Sequence, residues 1–383
     1  MMNSIQTTLL RNRDVVKLLF QGRAGRFPGI GAGRLEETSP CLRPLAFEIT
    51  RFPGTTGPAN SELMKRCDGP ALRNYGLWLT LVIATGLLAF FSYGGWLALP
   101  AFLVFGTFYA SGAESRFHEC LHGTPFKSRR LNECFLHLTG FMSLKNGYLW
   151  RWSHARHHTD TIVVGRDPEI AYPRPPDISG MVLNLLHLRA GTNELKRTLR
   201  ISVGRLSEDE KDYVPETERP KVILVARIYL AVLVGAVFLA ILAGSWLPVL
   251  LIGLPTFYGS WLHSALSAMQ HAGLAEDAPD HRLNSRTVHL NPVFHFIYAN
   301  MNYHVEHHMF PMVPFHGLPD LHEEIKTDCP PAYDGMIAAY REMIPALKKQ
   351  LSDPTHFVRR TLPIDAGRMA GPPDAAAAAV AAE

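Results

Sequence analysis

The sequence predicts an all-α integral membrane protein, with four transmembrane helices in two hairpins and a cytosolic helical cap. Three observations carry this: two long blocks without a charged residue, a glycine break inside each, and eighteen histidines gathered beside them. Of 383 residues, 47% are hydrophobic and 19% charged, below the roughly 25% charged of ordinary soluble domains. From Asn74 to Ala113, 40 residues pass without Asp, Glu, Lys or Arg, and from Ile228 to Ala275 another 48 do. Two such blocks exclude a purely cytosolic globular protein. The net charge of +4, with no basic run interleaved with aromatics, excludes nucleic acid as a partner. Five scattered cysteines without a CxxC pair suit a reducing compartment.

A crossing takes about 20 apolar residues, so each block holds two. The first breaks at Ser92–Gly95, which predicts spans near 75–93 and 95–113. The second breaks at Gly244–Pro248, which predicts spans near 222–243 and 247–266. Pro100 and Pro255 are candidate kinks. Lys65, Arg66 and Arg73 precede the first hairpin, and Arg116, Lys127, Arg129 and Arg130 follow it. Arg219 and Lys221 precede the second, and Arg282 and Arg286 follow it, whereas the opposite turns carry no Lys or Arg. The positive-inside rule then predicts a multi-pass protein in the lipid bilayer, with both termini cytoplasmic. The cap comprises 114–221 and 267–330. Residues 1–70 read as a cytosolic arm, in which the run around Val15–Phe20 is either a surface anchor or part of a loosely ordered tail. Residues 331–383 read as a C-terminal cytosolic helix and a disordered Ala-rich tail at Ala375–Ala379.

Three histidine clusters sit on the cytoplasmic side of these spans: His118/His122, His154/His157/His158 and His304/His307/His308. Spacings of three and four place each cluster on one helix face. An HxxHH pattern arises by chance roughly 0.04 times per chain at this histidine frequency, and here there are two. His271, at the cytoplasmic end of the fourth span, makes a ninth candidate. Nine neutral nitrogen donors are too many for one ion and suit two, so the cap is predicted to carry a His-rich dimetal site. Imidazole does not choose among zinc, copper, iron and nickel, but chemistry on O2 needs a redox-active metal, which favours iron. Glu119, Asp160, Asp167 and Glu306 are placed either to accept the second ring N–H of a ligand or to stand as solvated charges. The other cap and tail histidines (His137, His187, His281, His289, His295, His316, His322, His356) read as ordinary. His263, inside the fourth span, is open between helix packing and facing a substrate.

The three boxes, the hairpin layout and the stretch Asn302–Pro311 (NYHVEHHMFP) resemble the membrane fatty-acid desaturase family over residues 75–325. The resemblance implies a non-haem diiron centre: two iron ions, O2 as co-substrate, and removal of two hydrogens from an unactivated hydrocarbon chain. Carried over box by box, the implied ligands are His118, His122, His154, His157, His158, His304, His307 and His308, with His271 as the extra ligand. The HxxxH first box is more like that of acyl-lipid desaturases than that of acyl-CoA enzymes, which also carry an Asn where this chain has Ser267. Arg166–Glu169 and Phe310–His316 look like a bacterial branch that includes dihydrorhizobitoxine-desaturase-like enzymes. The resemblance accordingly implies a fatty acyl lipid or an amphipathic small molecule as substrate. No HPGG haem motif is present, so electrons are expected in trans from a ferredoxin or cytochrome b5 type donor.

Two rival chemistries share parts of this pattern. His118–Glu119–x–x–His122 is also the zinc-protease motif, but an intramembrane metalloprotease would leave six clustered histidines idle. A diiron hydroxylase of a lipid or small metabolite shares the first hydrogen abstraction with a desaturase, and no motif separates the two. Trp150, Trp152, Tyr258 and Trp261 are candidate substrate-lining residues, with an interfacial aromatic belt as the alternative.

Overall fold

The computed structural model describes residues 62–363, and the Val15–Phe20 run and the Ala-rich tail lie outside the described residues. The described residues are mostly helical, and their strand pairing is a two-residue parallel ladder and one isolated antiparallel bridge, Thr287 with Tyr303. α1 (Asp68–Ser92) is an unbroken helix of 25 residues, about 38 Å at 1.5 Å per residue. The chain reverses at Gly94, whose φ of +83° suits a residue without Cβ, and α2 (Ala98–Gly106) returns along α1. Pro100 lies in the first turn of α2, where no hydrogen bond is lost, and it makes no kink.

α2 passes through a π-helical turn, Thr107–Ser111, into α3 (Gly112–His122) without leaving helical backbone angles. The helical backbone of the second predicted span therefore does not end at 113. It continues to His122 and delivers the first histidine box on its own last turns, until Gly123 at φ +65° ends it. The π turn frees the Phe108 carbonyl, which accepts the Trp78 indole N–H at 2.8 Å. Arg116, counted above among the cytoplasmic basic flanks, is fully buried. Its guanidinium donates to the carbonyls of Gly112, Phe296 and Ile297 and to Asn74 Oδ1, tying α3 to α1 and the third-box region.

α4 (Arg129–Met142) and α5 (Gly147–Thr159) start at Ser128 and Asn146, whose side chains accept the N–H groups of Leu131 and Leu149. α6 (Ile178–Leu185), α7 (Leu188–Ser202) and α8 (Glu208–Tyr213) complete the cap between the hairpins, α8 opening with a Ser207/Glu210 capping box. α9 (Arg219–Ala243) is the second unbroken 25-residue helix.

The predicted fourth span is broken. It comprises α10 (Leu247–Leu251), α11 (Pro255–Gly259) and α12 (Trp261–His271). Pro255 has no N–H for the Leu251 carbonyl, and Gly253 at φ +90° turns the chain between the first two pieces. Among the described residues, α1 and α9 alone are unbroken helices long and apolar enough to cross a membrane. Only 22% and 28% of their apolar windows are buried, so most of that surface faces outward. α11 packs against α2 with Gly259 on Gly106, and the Ser111 hydroxyl donates to the Gly259 carbonyl at 2.7 Å.

Beyond α12 come α13 (His281–Asn284), β1 (Val288–His289), α14 (Pro292–Ile297), α15 (His304–Met309) and α16 (Leu318–Ile325). β2 (Tyr333–Asp334) and α17 (Met336–Gln350) end the described fold. β1 and β2 pair in parallel, Val288 with Tyr333, which pins the chain after the third box back onto the segment before it.

Candidate metal centre

Four helices aim nine imidazoles at one place. α3 carries His118 and His122 one turn apart, α5 carries His154, His157 and His158, α12 ends on His271, and α15 carries His304, His307 and His308. Donor nitrogens of His118, His122, His154, His158 and His307 lie within 4.8 Å of one another. Those of His157, His271 and His308 form a second group. His304 joins it, with Nε2 2.8 Å from His271 Nε2 and 3.0 Å from His308 Nε2. The nine residues singled out in the sequence are thus brought together as five and four.

The tautomers follow from what each Nδ1 touches. His154 Nδ1 lies 3.0 Å from Glu169 Oε2, His157 Nδ1 2.8 Å from Asp167 Oδ2, and His271 Nδ1 2.7 Å from the Asn284 carbonyl. Each of these partners only accepts, so each Nδ1 holds the proton. Thr161 gives its single hydroxyl proton to the His157 carbonyl at 2.7 Å, so it accepts from His308 Nδ1 at 3.2 Å. The Nε2 atoms of these four rings are therefore bare lone pairs. Two of them, on His271 and His308, converge on His304 Nε2, and that of His154 faces the Nε2 atoms of His122 and His158, both at 3.1 Å. Lone pairs facing one another across about 3 Å repel unless a cation sits between them, so this donor set fits metal ions. Gln270 Nε2 lies 3.0 Å from His304 Nδ1 and 3.5 Å from the Met301 carbonyl oxygen.

Burial, and after it the neighbouring rings, hold His118, His122, His158, His304, His307 and His308 well below the ordinary imidazole value. They are neutral, as metal ligands must be. Burial also works against a charged His157, but the Asp167 hydrogen bond and charge outweigh it, and His157 alone of the nine is raised. It is the most basic donor of the set.

The four carboxylates named from the sequence have different surroundings. Asp167 orients His157. Glu119 lies 4.0 Å from His118 Nδ1, beyond hydrogen-bond reach, and accepts the Phe315 N–H instead; burial pushes it up to about 8. Glu306 meets His322 Nδ1 and the Thr287 hydroxyl, each at 2.5 Å. Asp160 faces Arg166 and Arg156. Sequence reasoning missed Glu169, Thr161, Gln270 and the Asn284 carbonyl. The signal for Glu169 was present: it stands two residues after Asp167, in a segment noted only for its resemblance. Of the four aromatic candidates, Trp150 lines the cavity beside the histidines; Tyr258 donates to the Leu250 carbonyl and Trp261 to Thr107. That cavity, of about 190 Å³, has His118, His154, His157, His271 and His304 on its wall.

The fold and the site define a helical protein built around clustered histidine boxes suited to metal. The fatty acid desaturase family model matches residues 94–340, well over half the chain, and the chain belongs to that family. No curated protein gives a significant match. The zinc-protease alternative loses its footing here, because His118 and His122 share their ligand space with three further imidazoles.

Proposed function

We propose that the protein is an O2-dependent desaturase that holds two irons, one at each histidine group, and forms a C=C bond in a fatty acyl chain or a similar amphipathic substrate. The observation that carries this reading is the convergence of nine imidazoles as five and four, with ring protons turned outward onto Glu169, Asp167, Thr161 and the Asn284 carbonyl. Bound iron supplies the redox chemistry that C–H removal by O2 requires and that zinc lacks. The chain's own part is to fix the donors: each outward hydrogen bond locks a ring's tautomer and direction. The cavity beside the histidines holds the substrate C–H bonds against them and keeps bulk water away. In the overall balance the substrate gives two protons and two electrons, and two further protons come from water. A donor in trans, of ferredoxin or cytochrome b5 type, gives two more electrons, and O2 leaves as two waters.

In this reading α1, the α2–α3 run, α9 and the α10–α12 pieces make four membrane passes, with the site and both termini cytoplasmic. The breaks in the fourth pass are tolerated because α11 is packed against α2 and the π turn rather than exposed to lipid. The exposed basic residues beside the first hairpin (Lys65, Arg66, Arg73, Lys127, Arg129, Arg130) and Lys221 before the second support the orientation, whereas Arg282 and Arg286 are buried like Arg116.

The test is metal content and acyl-lipid profile from one membrane preparation, wild type beside His157→Ala. Two irons per chain, lost in the variant, with an unsaturated species made only by wild type, is the expected result. Zinc in place of iron would overturn the oxidase. Iron with a hydroxylated product would move the assignment to a hydroxylase.

A further inference from the structure

The cavity wall beside the histidines carries charged side chains among apolar ones such as Ile162, Leu274 and Met301. Glu114, Lys145, Glu169, Arg174 and Glu276 all contribute to it, together with His263. Lys145 Nζ is paired with Glu114 and lies 4.0 Å from the centroid of the Trp150 ring. His263 Nε2 stands 3.8 Å from Glu114 Oε1. Arg174 Nε meets Glu276 Oε1 at 3.2 Å on the cap loops. Glu169 is already committed to His154 and Ser153, so the unassigned charged groups are two ion pairs, with His263 beside one of them and the polar side chains of Ser115, Tyr172, Ser267 and Tyr298 on the same wall.

An acyl chain filling this space would strip water from both pairs and return nothing to them. A carboxylate would return a charge-assisted hydrogen bond to Lys145, whose ammonium has three protons and one carboxylate partner. Lys145 is also held in place, by Glu114 on one side and the Trp150 face on the other. His118 and His154 line the same cavity, so a group bound at Lys145 keeps its nearest carbons beside the imidazoles.

We propose that this cavity takes a small carboxylate anchored at Lys145, so that the carbons oxidised lie a few bonds from a charged end and not in the middle of a long chain. The proposal rests on the oxidase reading above and narrows its substrate class. His263, reached from the fourth span, then belongs to the anchor through Glu114.

The test uses the iron-loaded full chain in detergent, titrated calorimetrically with hexanoate, hexan-1-ol and a phosphatidylcholine, with melting temperature as a second readout. Hexanoate should bind and raise the melting temperature, and hexan-1-ol should do neither. Lys145→Met should weaken hexanoate binding roughly ten- to a hundred-fold, the scale of a lost hydrogen bond to a charged group, while Lys145→Arg keeps most of it. Glu114→Gln leaves Lys145 without its partner and should tighten hexanoate binding several-fold. A merely structural ion pair predicts the reverse, so weaker binding in Glu114→Gln overturns the anchor even if Lys145→Met fails to fold. Equal binding of hexanoate and hexan-1-ol, or preference for phosphatidylcholine, overturns it too. Wild-type protein that retains no iron refutes the oxidase reading instead, and the hexanoate titration on that same protein still decides the anchor.

Discussion

His157 donates its Nδ1 proton to Asp167 across 2.8 Å, and the same carboxylate oxygen accepts the backbone N–H of Ile162, also at 2.8 Å. Ile162 has φ +55°, a left-handed conformation that is costly for a β-branched residue. One carboxylate therefore orients a proposed ligand and holds the strained turn that follows its helix. Asp167→Asn should lower iron affinity about 10–100-fold, the usual effect of losing such an outer partner, while far-UV circular dichroism stays helical. Asp160→Asn is the matched control, because Asp160 meets only Arg166 and Arg156; iron loss of similar size there would show that the effect is not specific to the His157 contact.

Glu169 is the corresponding partner on the other histidine group. It joins Ser153 at 2.7 Å and His154 at 3.0 Å, both on α5. In Glu169→Ala the His154 ring loses the acceptor that fixes its tautomer, and iron at the five-histidine group should fall while the four-histidine group keeps its metal. Titration of iron per chain should then approach one. Two irons retained at wild-type affinity would show that His154 needs no such partner.

The convergence of the nine histidines was legible because helical spacing puts each box on one face, whatever the rest of the fold does. Their acceptors were not. Asp160, Asp167 and Glu169 lie within ten residues of one another, and only the path of the loop after α5 decides that two of them turn toward imidazoles and the third toward arginines. The two apolar blocks were legible as composition, but helix continuity was not. Apolar content does not report the π turn at Thr107–Ser111, which lets α2 run on into the first box. Pro255 announced a kink, and the added reversal at Gly253 made it a full break. Arg116 shows the limit of charge counting: its position marked a cytoplasmic flank, yet backbone carbonyls and Asn74 bury it completely.

The α2–α11 contact should be intolerant of a single methyl group. A Cβ on Gly259 would stand 1.9 Å from the Gly106 carbonyl oxygen, with backbone on both sides and nothing flexible to yield. Close backbone approach through small residues is how helices pack where lipid replaces water. Gly259→Ala should lower stability by about 1–3 kcal/mol or more, read as a fall in melting temperature in detergent. Gly235→Ala, on α9 with open space around the added Cβ, should instead gain about 0.5–1 kcal/mol from helix propensity. Equal shifts at the two sites would refute the close contact.

Glu210 gives the cap a pH signature that owes nothing to metal. Its carboxylate accepts from Arg200 Nη2 at 2.5 Å and from the Ser207 N–H at 2.8 Å, with Arg197 Nε at 3.3 Å. Burial favours the protonated form, but these partners outweigh it and hold the folded-state value below the ordinary 4.5. A carboxyl depressed on folding adds stability that is fully present above its unfolded value and is lost as pH falls through the folded one. Glu210→Gln keeps the shape and removes the charge, and should cost about 1–3 kcal/mol at pH 7. Thermal unfolding of the two proteins across the acid range is the measurement. The gap between them should be constant above the unfolded value, begin to narrow as pH drops below it, and close only below the folded value, where wild type carries the same neutral side chain. A gap that stays unchanged down to the lowest pH at which both fold would mean that Glu210 acts through shape alone, and that the two arginines on α7 contribute no charge stabilisation to α8.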